Sequence, residues 1–239
     1  MRGLAPYWID PRGNRFEFPD VSLALEEPDG LLAIGGDLKP QRLLSAYRQG
    51  IFPWYNEGQP ILWWAPNPRA VLFPSKLKIS RSLAKTLRNK AFKVTLDQAF
   101  EMVIEACSQP RDHETHPGTW ITHEMKQAYL KLHQQGAAHS AECWLDGKLV
   151  GGLYGVSIGR AFFGESMFTQ RRDASKVAFV TLVQQLAQWK FGLVDCQIHS
   201  QHLKSLGAEN IDREEFRELL DIFCEQPEPE WRLEPSNPR

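Results

Sequence analysis

What this sequence lacks narrows it first. None of its apolar runs approaches the ~20 residues of a membrane-spanning helix. The stretch "MRGLAPYWIDPRG" at the N-terminus has no apolar core of a secretory signal. A soluble, cytoplasmic protein with no membrane partner is therefore expected. Cysteine is sparse: Cys107, Cys143, Cys196 and Cys224 are scattered without a C-x-x-C spacing, which argues against a zinc knuckle or a disulfide framework and for reduced thiols. The "HETH" at 113–116 spaces its histidines i, i+3, whereas a metalloprotease helix needs i, i+4. His199 and His202 have no third ligand in sight, so no metal is expected.

Net charge is also slight, −1 over 239 residues, but its distribution is uneven. "KLKISRSLAKTLRNKAFK", residues 76–93, carries seven basic residues and no acid. If 80–90 is helical, Arg81, Lys85 and Arg88 form one stripe and Leu83 and Leu87 the opposite one. Such a stripe is an ordinary solvated face unless something else implies a polyanion.

A hydrophobic content of 42% is enough to fill a substantial core. Residues 1–68 are rich in Pro, Gly and aromatics, with one clear helix: Pro40 suits the first turn, Leu43, Leu44 and Tyr47 give an apolar face, and Gly50 suits the end. The rest of that region reads as irregular. "IFPWYNEGQPILWWAPNPRAVLFP" is dense in aromatic rings, most of them expected in a core and one or two facing a groove.

From residue 91 the pattern is regular. "FKVT" reads as a strand, and "TLDQAFEMVIEAC" as a helix opened by a Thr95–Gln98 capping box. "THEMKQAYLKLHQQG" reads as a helix from a Thr122 cap to Gly136. "AHSAECWL", "KLVGGLYGVSI" and "RAFFGESMF" form a three-stranded meander. A long helix starts near Asp173 and stops by Gly192. The tail at 229–239 is Pro- and Glu-rich and is expected to be poorly ordered.

Between that helix and the tail lies "VDCQIHSQHLKSLGAE", residues 194–209, a strand running into a short helix. Strand alternation puts Val194, Cys196 and Ile198 on one face and Asp195, Gln197 and His199 on the other. A buried carboxylate is costly unless paired, so the polar face must meet water, a partner or a ligand.

The order of elements resembles the GNAT acyltransferase superfamily. In that fold the strands before and after the central helix splay apart around the acyl donor, which implies that Glu165 and the Asp195/Gln197 face stand at a reaction centre. An acetyl-CoA enzyme of this kind opens its central helix with a glycine loop that cradles pyrophosphate. Here "TQRRDASKVA" contains no glycine, so an acyl-CoA N-acetyltransferase is the weaker alternative. A non-catalytic RNA-binding module is another, and it leaves Asp195 and Gln197 without a purpose.

"EPDGLLAIGGDL" with "AYRQGIFPWY", "PILWWAPNPRAVL", "GTWIT", and "GESMF" with "DCQ" and "SLGA" together resemble the leucyl/phenylalanyl-tRNA protein transferases over roughly residues 18–208. The resemblance implies an α+β protein, with a small N-terminal α/β domain over 1–68 and a GNAT-like catalytic domain over 69–239. It implies transfer of leucine or phenylalanine, with methionine a further candidate, from aminoacyl-tRNA to the N-terminal Arg or Lys of acceptor proteins, marking them for degradation. No cofactor is needed. Asp195, Gln197 and Glu165 would be catalytic, with the Gln197 carbonyl receiving the attacking amine and Asp195 polarising the Gln197 amide. Leu153, Phe162, Phe179 and Leu182 would line the amino-acid pocket, and Trp54 and Trp120 would grip the terminal adenosine. With a tRNA implied, the Arg81, Lys85 and Arg88 stripe becomes a phosphate contact.

Overall fold

A computed structural model describes residues 5–13, 15–89, 91–109 and 121–233. Along the chain lie β1 (Tyr7–Ile9), β2 (Leu31–Gly35), α1 (Pro40–Arg48), β3 (Phe52–Pro53), β4 (Leu62–Trp64), β5 (Arg69–Leu72), α2 (Arg81–Arg88), β6 (Lys93–Leu96), α3 (Phe100–Cys107) and α4 (His123–Gln134). There follow β7 (Ala138–Leu145), β8 (Lys148–Ile158), β9 (Ala161–Thr169), α5 (Ala174–Gln188), β10 (Leu193–Gln197), α6 (Gln201–Ser205), β11 (Glu209–Ile211) and α7 (Arg213–Phe223). This is an α+β fold. No helix among the described residues is long and apolar enough to cross a membrane.

The strands make two sheets, a four-stranded one in the order β1-β2-β4-β3 and a seven-stranded one in the order β11-β5-β10-β9-β8-β7-β6. The N-terminal region, expected to be irregular around one helix, therefore has its own sheet. Its strands are too short to show alternation, and their pairing is set by neighbours distant in sequence. α1 behaves as read: Pro40 sits in the first turn, Leu43 and Tyr47 are fully buried, and Gly50 takes φ +74°. A side chain at Gly50 would also strike the Phe216 ring, at 2.8 Å from its Cβ.

The large sheet contains the expected meander of β7, β8 and β9, with Asp146 and Gly147 both at positive φ in the first turn. α5 then crosses over to bring β10 parallel to β9, the connection that a parallel pair requires. One apolar layer packs α5 and α2 on the sheet through Phe162, Phe179, Leu182 and Leu83. The opposite layer packs α1, α3 and α4 through Tyr47, Phe100, Tyr129 and Phe163.

Two local expectations fail. Thr95 does not cap α3, whose N-cap Ala99 has no side-chain bond; Thr95 lies in β6 and gives its hydroxyl to the buried Glu142. That carboxylate also accepts from Ser140 and needs such donors to be buried. The tail is docked rather than poorly ordered as far as residue 233: Trp231 stacks on His139 with centroids 3.7 Å apart and meets the edge of Trp189 at 5.2 Å. Residues 234–239 of the tail and the "HETH" motif lie outside the described residues.

Candidate active site

β9 and β10 pair only from Ala161 with Leu193 to Phe163 with Asp195. Beyond Gly164 the strands part, and a cavity of about 560 Å³ opens in the gap. Two irregularities shape it.

The first is a bulge in β9. Tyr154 of β8 faces Ser166 while Gly155 faces Gly164, so Glu165 is the extra residue. Inserting one residue reverses the parity of the strand. Phe163 and Phe168 consequently share one apolar layer, and Phe162 and Met167 the other. The alternation of Glu165 with Phe163 and Met167 that a regular strand would give is thus broken. Gly155 is required opposite the bulge, since a Cβ there would lie 2.2 Å from the Phe163 carbonyl oxygen.

Glu165 is thereby aimed at neutral donors on three other elements. Its carboxylate accepts from the Tyr47 and Tyr129 hydroxyls, each at 2.7 Å, and from the Gln197 amide at 2.9 Å. The two hydroxyl oxygens also lie against each other, but each carries one proton, and here both protons are given to Glu165. Burial is the main cause that pushes the Glu165 carboxyl up to about 7, with Asp195 adding to it and the tyrosine and Gln197 hydrogen bonds opposing it. A carboxylate offers about four lone-pair sites, so with three occupied Glu165 can receive one more donor.

The second irregularity ends β10. Gln197 has φ +61°, and the pairing of β10 with β5 shifts between Asp195 and Gln197. The Asp195 carboxylate accepts the Gln197 backbone N–H at 2.8 Å, and the Ile198 N–H reaches the Cys196 carbonyl at 2.7 Å. The chain is held in a γ-turn that is otherwise rare and strained. Simple alternation of Asp195 with Gln197 therefore fails at Gln197.

The polar face of this strand does find a partner. Asp195 is fully buried and takes two bonds from Arg69 of β5, at 2.8 and 2.7 Å. The Arg69 guanidinium lies between the Phe52 and Phe216 rings, 4.7 and 4.8 Å from their centroids. Asp195 was expected to polarise the Gln197 side-chain amide. Glu165 does so instead, while Asp195 fixes the Gln197 backbone. The Gln197 amide nitrogen is thus committed to Glu165, and its carbonyl oxygen is left to accept from a ligand.

Among the pocket residues read from sequence, Leu153 and Phe179 line the cavity. Phe162 and Leu182 do not: both are buried in the layer under α5. Trp54 is 42% exposed and lines the cavity. Trp120 lies outside the described residues. Arg81, Lys85 and Arg88 project from α2 into solvent, with Leu83 buried and Leu87 half-buried opposite, and Ser80 caps the helix.

Sequence reading missed Arg69 and the hydroxyls of Tyr47 and Tyr129. Tyr47 was assigned to the apolar face of its helix, and a buried tyrosine carries a polar end that seeks a partner. Tyr154, Ser166 and His202 also line the cavity, each with a buried polar atom that has no protein partner. Burial lowers His202, with Lys176 adding to it. Cys196 reaches the cavity, but burial and then Asp195 hold its thiol far above the ordinary range, which does not suit a nucleophile. No cluster of three potential metal ligands occurs among the described residues.

Comparison with known proteins gives the family of the chain. The profile of the leucyl/phenylalanyl-tRNA protein transferases matches residues 71–221, and that of their N-terminal domain matches 36–67. The chain is 56% identical to the leucyl/phenylalanyl-tRNA–protein transferase of Cellvibrio japonicus over 92% of both chains. It is 55% identical to that of Stutzerimonas stutzeri over 94% of this chain and 98% of the other. Among solved structures, a GCN5-related N-acetyltransferase from Kribbella flavida aligns over 70% of this chain and 59% of that one, at 11% identity and a TM-score of 0.35. By its sequence along nearly its whole length, this chain belongs to the leucyl/phenylalanyl-tRNA protein transferase family.

Proposed function

We propose that the cavity between β9 and β10 transfers leucine or phenylalanine, and also methionine, from aminoacyl-tRNA to the N-terminal Arg or Lys of acceptor proteins in the cytoplasm. The single observation that supports it best is the Glu165–Gln197 pair, which leaves one acceptor oxygen and one titratable anion facing an apolar cavity. In this reading residues 1–68 form a small domain that lends Tyr47 and Trp54 to the catalytic domain over 69–239.

The donor is an ester, already activated, and an α-amine has an ordinary pKa of about 7.7–8.0, so a fair fraction is neutral near pH 7. The neutral amine attacks the ester carbonyl; the C–N bond forms and the C–O bond to the tRNA ribose breaks. The Gln197 carbonyl accepts an N–H of the amine and aligns it, while the amine's surplus proton leaves to the departing ribose oxygen. Alignment of this sort supplies up to about 7–11 kcal/mol, which makes a strong base unnecessary. Glu165, ionised above about 7, holds the α-ammonium of the donor in its remaining lone-pair position. Leu153, Met167 and Phe179 receive the apolar side chain. Such a wall discriminates a methylene by about 1–3 kcal/mol, in keeping with several apolar donors. Trp54 stacks the terminal adenosine, and Arg81, Lys85 and Arg88 contact tRNA phosphates.

The test is incubation with labelled leucyl-tRNA and a peptide beginning with Arg. Label is expected on the peptide amine with wild type, and at a rate about 10²-fold lower with Gln197→Ala. Bound tRNA without transfer would reject the catalytic reading.

A further inference from the structure

Beside the amino-acid cavity, across Phe52, Trp54 and Gln197, lies a second cavity of about 330 Å³. These three residues line both spaces, so Gln197 and Trp54 act as a partition. The chemistry differs on its two sides. The first space is walled by Leu153, Met167 and Phe179, the second by Asp29, Trp64 and Asn210.

Trp64 is held in place. Its indole N–H donates to the Trp54 carbonyl at 2.7 Å, and the two rings lie 5.9 Å apart at 58°. Asp29 is exposed and accepts a long bond, 3.4 Å, from the Asn67 backbone N–H. It forms no ion pair among the described residues. A carboxylate that shares a cavity with two indole rings, with His199 as the one basic side chain in its wall, suits a cation: ring faces attract positive charge, and a carboxylate can receive a guanidinium through two parallel bonds.

We infer that this second cavity is the acceptor subsite, which takes the cationic side chain of the acceptor's first residue against Asp29 and Trp64 and presents its α-amine to Gln197. The inference rests on the transfer reaction proposed above. It gives each substrate its own compartment, an apolar one for the donor and an anionic one for the acceptor, with the aligning carbonyl between them. It also leaves Glu165 to the donor's ammonium.

The test uses two peptides that differ only in the first residue, Arg or its neutral isostere citrulline, with leucyl-tRNA as donor. Wild type is expected to prefer Arg by about 100-fold in kcat/KM. Asp29→Asn should reduce that preference at least about tenfold through the acceptor KM, with the leucyl-tRNA KM unmoved, and Asp29→Glu should keep most of it. If folded Asp29→Asn transfers to both peptides and keeps the full preference, this assignment falls while the transfer reaction stands. If wild type transfers to neither peptide, the transfer reading itself fails, and this inference with it.

Discussion

Two carboxylates face the same gap in the sheet from opposite strands, and their surroundings could hardly differ more. Asp195, at the end of β10, is fully buried against the guanidinium of Arg69. Glu165, at the bulge of β9, is surrounded by two phenols and an amide, all neutral. A charge held by a buried partner serves geometry. A charge held only by neutral donors can gain or lose a proton near pH 7 and can respond to a substrate. The first builds the turn that presents Gln197, and the second polarises the Gln197 amide.

The comparison can be broken most forcefully at Asp195. Removing one partner of a buried ion pair leaves the other uncompensated, so Asp195→Ala should cost about 3–5 kcal/mol in urea denaturation. The double substitution Arg69→Met/Asp195→Leu should recover most of that stability. It should still transfer poorly, because the Gln197 backbone N–H has lost its acceptor. A double variant with normal kcat/KM would mean that Asp195 has no role beyond stability.

A smaller effect is expected where the two strands meet. Gln197→Ala should lower kcat/KM for transfer about 10²-fold with little change in stability or in tRNA affinity. Single-turnover kinetics with bound leucyl-tRNA would separate this from a binding defect.

Glu165 sharpens the comparison through pH. Its carboxyl is raised from the ordinary 4.5 to about 7, so between those values the folded chain holds a proton that the unfolded chain has released. Its contribution to stability is full below about 4.5 and is lost as pH rises through about 7. Transfer should run the other way, with kcat/KM climbing through about 7 as the anion forms. Glu165→Gln should flatten both profiles. An unchanged pH–rate limb near 7 in that variant would assign the limb to another group.

The mildest effect belongs to a region that touches neither carboxylate. Each of Arg81→Gln, Lys85→Gln and Arg88→Gln should weaken tRNA binding modestly and reduce the slope of log K against log salt by about one. Acceptor KM should not move. Slopes that stay constant would return α2 to the status of an ordinary solvated face.

Much of this could be read along the chain. The apolar faces of α1, α2 and α4 and the caps of α2 and α4 are local properties, as are the turns of the meander, and short motifs carried the family. The Asp195 question was also legible: a charged residue in an apolar strand required a partner. The partner was not, because Arg69 is 126 residues away in the chain and is brought adjacent only when β5 inserts between β10 and β11. The Thr95 capping box failed for a related reason, since Glu142 across the β6–β7 pair offered its hydroxyl a stronger acceptor. Phe162 and Leu182 have pocket-like chemistry, and only the path of α5 decided that they face the core.

The sequence by itself determined the α+β plan, the acyl-transfer family and the short set of polar residues that a buried sheet would not otherwise tolerate. Their places and partners came from the folded chain. Register made Glu165 the extra residue of a bulge and gave Gln197 a positive φ. Alternation along a strand is a local rule: the bulge departs from it with Glu165 bonded to Tyr47, Tyr129 and Gln197, and the turn with an Asp195 that Arg69 fixes, partners that meet only in the folded chain.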